Sequence, residues 1–184
     1  DPIDQYLPFE VKNPSHPHKK ITIRHLATHT STIVDTDHYM ERAWVLTPDQ
    51  DLSNVMLDYP YQRLNPAETA MSMGEFLPKI LQKNGEYYEA EDGFLKSKPG
   101  ENFWYSNIGA TLAAHIIERA TGVSFNEFTK KHILDPLEMN ASGWSLNEVN
   151  IENHSRLYAT IDTMLPFYTA ITYPDGMLIT SSHD

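Results

Sequence analysis

Lys98-Pro99-Gly100-Glu101-Asn102-Phe103-Trp104-Tyr105-Ser106-Asn107 is the stretch from which the rest of the chain is best read. A Pro-Gly turn leads into three consecutive aromatics, and Tyr-Ser-Asn closes the run. Immediately after it, Ile108, Leu112, Ala113, Ile116, Ile117 and Ala120 fall at helical spacing and predict a helix over 108–120, ended by Gly122. A phenol and a carboxamide, two residues apart, therefore stand at the mouth of a helix. Each side chain has two readings. Tyr105 is either a core aromatic with one satisfied hydroxyl or a reacting group. Asn107 is either the helix N-cap or a polar ligand, and these two roles are compatible.

Further helices carry their own punctuation. Thr22 is placed to cap a short helix through about Thr28, with Ile23, Leu26 and Ala27 inward. Ser72 with Glu75 forms a capping box, Pro78 predicts a kink or a late start, and Gly85 is the expected stop. Ser124 with Glu127 forms a second capping box, Val123 and Phe128 sit at staple positions, and the helix is expected to run to about Leu134 before Pro136. Residues 30–70, rich in Asp, Thr, Pro and Tyr, show no sustained period. They predict loops with short helical pieces, one starting at Thr47-Pro48. Residues 156–162, 167–172 and 177–180 read as strands, and Tyr173-Pro174-Asp175-Gly176 reads as a turn. Ser181 or Ser182 then looks like the N-cap of a helix that would lie beyond Asp184, so the chain is expected to be part of a longer one.

Bulk properties narrow the function classes. The 184 residues are enough for a domain with a real core. The net charge of −11 argues against a nucleic-acid surface, which needs clustered Lys and Arg. The short basic run at His16, His18, Lys19 and Lys20 reads as a solvated loop. With no cysteine, disulfide and thiolate chemistry are excluded, and no apolar run approaches the ~18 residues of a membrane span.

Other motifs are weaker. His25 and His29 share a helical face, but Leu26 stands where the zinc-protease pattern needs Glu, so a structural, hydrogen-bonded His pair is expected and no metal. Asp35, Asp37 and His38, and separately Asp49, Asp51 and Ser53, read as solvated loop groups. The second set lacks the glycine of a calcium loop, Asn54 standing in its place. No Gly-x-Ser-x-Gly elbow and no glycine-rich phosphate loop occurs, which removes α/β-hydrolase and nucleotide chemistry.

Five segments in order resemble the class C β-lactamase and penicillin-binding-protein-like serine hydrolases. They are Asp1 to Pro8, Ile21 to Ser31 with its His-Thr-Ser, Lys98 to Gly122 with Tyr-x-Asn, His132 to Trp144, and Tyr173 to Asp184. Thr32 departs from the glycine that usually follows His-Thr-Ser, and Met177 from a second glycine near the Tyr-Pro-Asp-Gly turn. Neither the family's Ser-x-x-Lys pair nor its later Lys-Thr-Gly or His-x-Gly strand is present, so residues 1–184 are expected to form a partial domain. The resemblance implies an α+β fold of the β-lactamase/transpeptidase type. This chain would be mainly the helical subdomain, with a few strands toward the C-terminus.

The resemblance further implies a serine hydrolase acting through an acyl-enzyme on a β-lactam, a D-amino-acid peptide or an ester. Tyr105 would be the base and proton relay, its phenol helped by the lysine ammonium of Ser-x-x-Lys. Asn107 would hold that lysine or the substrate amide. No cofactor is implied, the partner is a small-molecule or peptide substrate, and the oligomeric state is open. Location is expected to be periplasmic, secreted or membrane-anchored, with any anchor outside this chain. The 184 residues alone are expected to be inactive. The alternative is a non-catalytic binding or interaction domain derived from the same family.

Overall fold

The computed structural model describes residues 1–59 and 62–184. Part of the 30–70 reading therefore lies outside the described residues, at positions 60 and 61. Five α-helices are described: α1 (Ile23–Ala27), α2 (Asp37–Arg42), α3 (Met73–Leu81), α4 (Asn107–Thr121) and α5 (Phe125–Thr129). Six short strands accompany them: β1 (Trp44–Leu46), β2 (Asp58–Tyr59), β3 (Gln62–Arg63), β4 (Tyr158–Thr160), β5 (Thr163–Met164) and β6 (Tyr168–Ala170). They form three separate antiparallel pairs, β1–β6, β2–β3 and β4–β5. The mixed helix-and-strand class agrees with expectation, but strands are not confined to the C-terminal part. Three of the six lie in residues 44–63, where Trp44-Val45-Leu46 is too short a run to announce itself.

α4 organises the core. Ile108, Leu112 and Ile116 are buried along it, and α1, α3, α5 and the 173–175 turn pack around it. α3 contributes Phe76, Leu77, Ile80 and Leu81, while Ile3, Ile21, Leu26, Ile33, Tyr39, Val45, Phe94 and Ile171 close the same cluster. A helix enclosed on several sides buries more than one stripe, and Thr111, Ala114 and His115 of α4 are buried as well. Ala120, expected inward, is exposed, as is Ala27 at the end of α1.

The caps follow the sequence closely, and the stops less so. Thr22 Oγ1 accepts the His25 N–H, and both expected capping boxes form. Gly122 ends α4 in the left-handed region at φ 75°. α3 starts at Met73 and runs through Pro78, so the helix does not start late. It ends at Leu81, before Gly85. Gly85 serves close approach instead: a Cβ there would clash with the Pro78 and Lys79 carbonyl oxygens. α5 continues as a wider helical turn over Lys130–Leu134, as far as expected. No helix starts at Thr47-Pro48; the Thr47 N–H donates to the Phe167 carbonyl and extends the β1–β6 pairing instead. The expected strand at 177–180 is reduced to one bridge, Ile179 to Gly143. The Ser181 hydroxyl does accept the His183 and Asp184 N–H groups, as an N-cap does.

Candidate active-site turn

The aromatic stretch before α4 is held by the segment that follows α1. The Gly100 N–H donates to the Thr30 carbonyl and the Trp104 N–H to the His29 carbonyl, both at 2.8 Å. The Ser106 N–H donates to His29 Nδ1 at 3.2 Å. Gly100 has φ 92° and lies against His25, where a Cβ would come within 3.2 Å of Nε2. The Pro-Gly turn is thus a requirement of both backbone angle and space. His29 itself has φ 51°. That turns its ring back over the aromatics, at 4.6 Å from the Tyr105 ring and 5.9 Å from Phe103.

Tyr105 is 56% exposed, so the core-aromatic reading fails. Phe103 and Trp104 beside it are exposed as well. Asn107 is not the N-cap either. Ser106 takes that place, with its Oγ accepting the Gly109 N–H at 3.0 Å. Asn107 is the first residue of α4, and its side chain and backbone N–H both donate to Asp35 Oδ2, at 2.8 and 2.9 Å. Asp35 Oδ1 accepts the Ser106 hydroxyl at 3.1 Å and the Ile108 N–H at 3.0 Å. One half-buried carboxylate thus takes four hydrogen bonds across the start of a 15-residue helix. The site suits a negative charge, since orphan N–H groups and the positive end of the helix dipole meet there.

The reading of Asp35 as a solvated loop charge is therefore corrected. Its partners lie 71 to 73 residues away, and no local pattern reports a contact of that range. Asp37 is exposed at the start of α2, as expected of a solvated group. His38 is half-buried, its Nδ1 3.0 Å from Arg42 and its ring tilted against Tyr87. The histidines do not form a hydrogen-bonded pair: His25 Nδ1 accepts the Thr22 N–H, while His29 serves the Tyr105 turn. Burial lowers the His25 imidazole below its ordinary value. Exposed Asp51 accepts the Ser53 N–H, and hydrogen bonds from Ser53 hold its carboxyl below the usual range.

Ser106 invites a nucleophile reading, because its hydroxyl points at a carboxylate. Two facts oppose it: the side chain is 1% exposed, and its oxygen is already engaged as donor to Asp35 and acceptor from Gly109. A substrate carbonyl has no approach to it. What the turn offers is an exposed phenol and an anchored carboxamide next to it. A cavity of about 760 Å³ lies elsewhere, between residues 140–157 and 165–182, and touches none of the turn's side chains.

The family model described as Beta-lactamase matches residues 1–184. Penicillin-binding protein 4* of Bacillus subtilis (strain 168) is 27% identical over 143 residues, which are 76% of this chain and 23% of that protein. Among solved structures, the D-amino acid amidase of Ochrobactrum anthropi SV3 superposes with a TM-score of 0.60 at 19% identity, over 98% of this chain and 44% of that one. A class C β-lactamase gives 0.56 at 19% identity, over 99% and 39%. At such identities the structural likeness speaks for the fold. The chain spans less than half the length of each of these proteins.

Proposed function

This chain belongs to the Beta-lactamase family, and on that premise we propose that the full-length protein is a serine hydrolase in which Tyr105 and Asn107 are catalytic and substrate-binding groups. Its substrate would be a β-lactam, a D-amino-acid peptide or amide, or an ester, cleaved through an acyl-enzyme. The observation that carries the reading is the half-exposed Tyr105 phenol, presented beside Asn107 on a turn fixed by hydrogen bonds from both sides. A group meant only to fill the core would not be exposed there.

The chemistry follows from the groups. A serine oxygen attacking a carbonyl must lose its proton, and a phenol of ordinary pKa ~10 is a weak base at neutral pH. A neighbouring ammonium favours the phenolate and lowers that value. Tyr105 would then take the proton from the serine and later pass it to the leaving group, while Asn107 would hold the ammonium or the substrate amide. Backbone N–H groups would receive the developing oxyanion. A periplasmic, secreted or membrane-anchored location is part of the proposal.

The test is Tyr105→Phe in the full-length protein, assayed on chromogenic β-lactams and esters and on D-amino acid amides. Turnover should fall by about 10²–10⁴, the range for a positioned general base. A drop below about tenfold would make Tyr105 structural. Wild-type protein that binds such compounds without turning them over would favour the non-catalytic alternative.

A further inference from the structure

We propose that Asp35 is a positioning residue for Asn107: it fixes which end of the carboxamide faces the substrate cleft. This rests on the catalytic reading of Tyr105 and Asn107 given above. A carboxylate oxygen accepts and does not donate, so only the Nδ2 end of the amide can face Asp35. The 2.8 Å contact is made by that end, which directs Oδ1 away from the carboxylate. The other amide orientation would set two acceptors against each other. Asn107 is thereby committed to act as an acceptor, toward an ammonium or a substrate N–H, with its remaining Nδ2 hydrogen alongside.

Three further bonds make the arrangement rigid. The Asn107 and Ile108 N–H groups bind the same carboxylate, so the backbone of the first turn is fixed with the side chain. The Ser106 hydroxyl donates to Oδ1 while accepting from Gly109, which locks the cap. Ser106 is in turn tied by its N–H to His29, whose ring lies tilted against Tyr105. His29 and Asp35 thus grip the turn from one short segment, His29 on the tyrosine side and Asp35 on the asparagine side. Asp35→Asn keeps the shape but replaces one acceptor oxygen by a donor NH₂. It cannot hold both ends of the pattern, and the Asn107 amide loses its orientation.

The experiment is a double-mutant cycle in the full-length protein with Asp35→Asn, Asn107→Ala and both together, reading kcat and KM separately. Asp35→Asn should lower kcat by about 10²-fold, as expected for a displaced catalytic group. In the Asn107→Ala background the same change should cost at least about tenfold less, because the share of its effect that passes through the Asn107 carboxamide is gone. Equal losses in both backgrounds would overturn the proposal. A second readout does not depend on turnover: the Asn107 side-chain amide resonances should move in Asp35→Asn, and exchange of the 107 and 108 backbone amides should speed up by about tenfold or more. Unchanged resonances and exchange would overturn the proposal whatever the kinetics show. Changed resonances with a silent Tyr105→Phe would sink the catalytic reading and leave the positioning role in place. If Asp35→Asn does not fold, Asp35→Glu serves in both measurements, since it keeps the charge and displaces the oxygens.

Discussion

Thr32 has a φ of 74° and is 1% exposed. A β-branched residue in the left-handed region is strained, because its Cβ crowds the following carbonyl. In the sequence this position stood out as a departure from a glycine, and the backbone angle supplies the reason a glycine suits it. The threonine is held by what surrounds it. Its hydroxyl accepts from buried Asn13 at 2.9 Å, and its carbonyl accepts the Leu95 N–H at 2.8 Å. Asn13 also donates to the Leu95 and Ser97 carbonyls, so losing the hydroxyl does not orphan it. Thr32→Gly and Thr32→Ala both remove the hydroxyl, but only the glycine relieves the angle. The glycine variant should be the more stable of the two by about 0.5–1 kcal/mol, after allowance for its larger chain entropy. Urea titrations of both variants measure the difference, and an alanine variant equal or superior to the glycine variant would contradict the strain.

Among elements, α3 is the one whose start is most fully written in the sequence. Ser72 Oγ accepts the Glu75 N–H, and Glu75 Oε2 returns to the Ser72 N–H at 2.9 Å. Hydrogen bonds from the Ser72 N–H and then the Ser72 hydroxyl hold the Glu75 carboxyl below its usual range. α3 brings Phe76, Leu77, Ile80 and Leu81 into the core, so a frayed start loosens buried packing as well. Ser72→Ala should cost about 1 kcal/mol, the usual worth of an N-cap, seen as a lower midpoint in thermal or chemical unfolding. No change would mean that packing alone sets the helix start. The capping boxes were legible because each partner lies three residues away. The cap of α4 was less so, since Ser106 and Asn107 are both good caps and adjacent. Only the geometry assigns the role to Ser106 and frees Asn107.

Across the whole molecule, a buried polar link joins parts of the chain far apart in sequence. Tyr39 of α2 donates to Asp175 Oδ2 at 2.6 Å, and Thr111 of α4 donates to the same oxygen at 3.2 Å. Burial is the main cause that pushes the Asp175 carboxyl above its ordinary value, with the charge of Asp35 adding to it. Burial, and then the Asp175 charge, likewise hold the Tyr39 phenol well above its ordinary value. For an acid with a raised folded-state pKa, the stabilising contribution is full below the unfolded value of 3.8 and is lost as pH rises through the folded value. Wild type should therefore lose stability relative to Asp175→Asn on going from acid toward neutral pH. Denaturant midpoints of both proteins across that range test it, and a pH-independent difference would refute the assignment.

The local elements are legible from the residues alone: the capped starts of α1, α3 and α5, the left-handed end of α4 at Gly122, and the aromatic turn with Tyr105 and Asn107 at its helix mouth. Those features depend on residues within a few positions of one another, where propensity and hydrogen-bond reach act. The sequence also carried the family, through five ordered segments. Tertiary structure alone decided that Asp35 and His29 grip the turn that carries Tyr105 and Asn107, that Tyr105 is exposed, and that β1 pairs with β6 at Trp44–Ala170. A single carboxylate, or a strand of three residues, has no periodicity to reveal its partner. Which charge is solvated and which holds a helix start depends on the fold bringing residue 35 to residue 107, and that is settled by packing around α4.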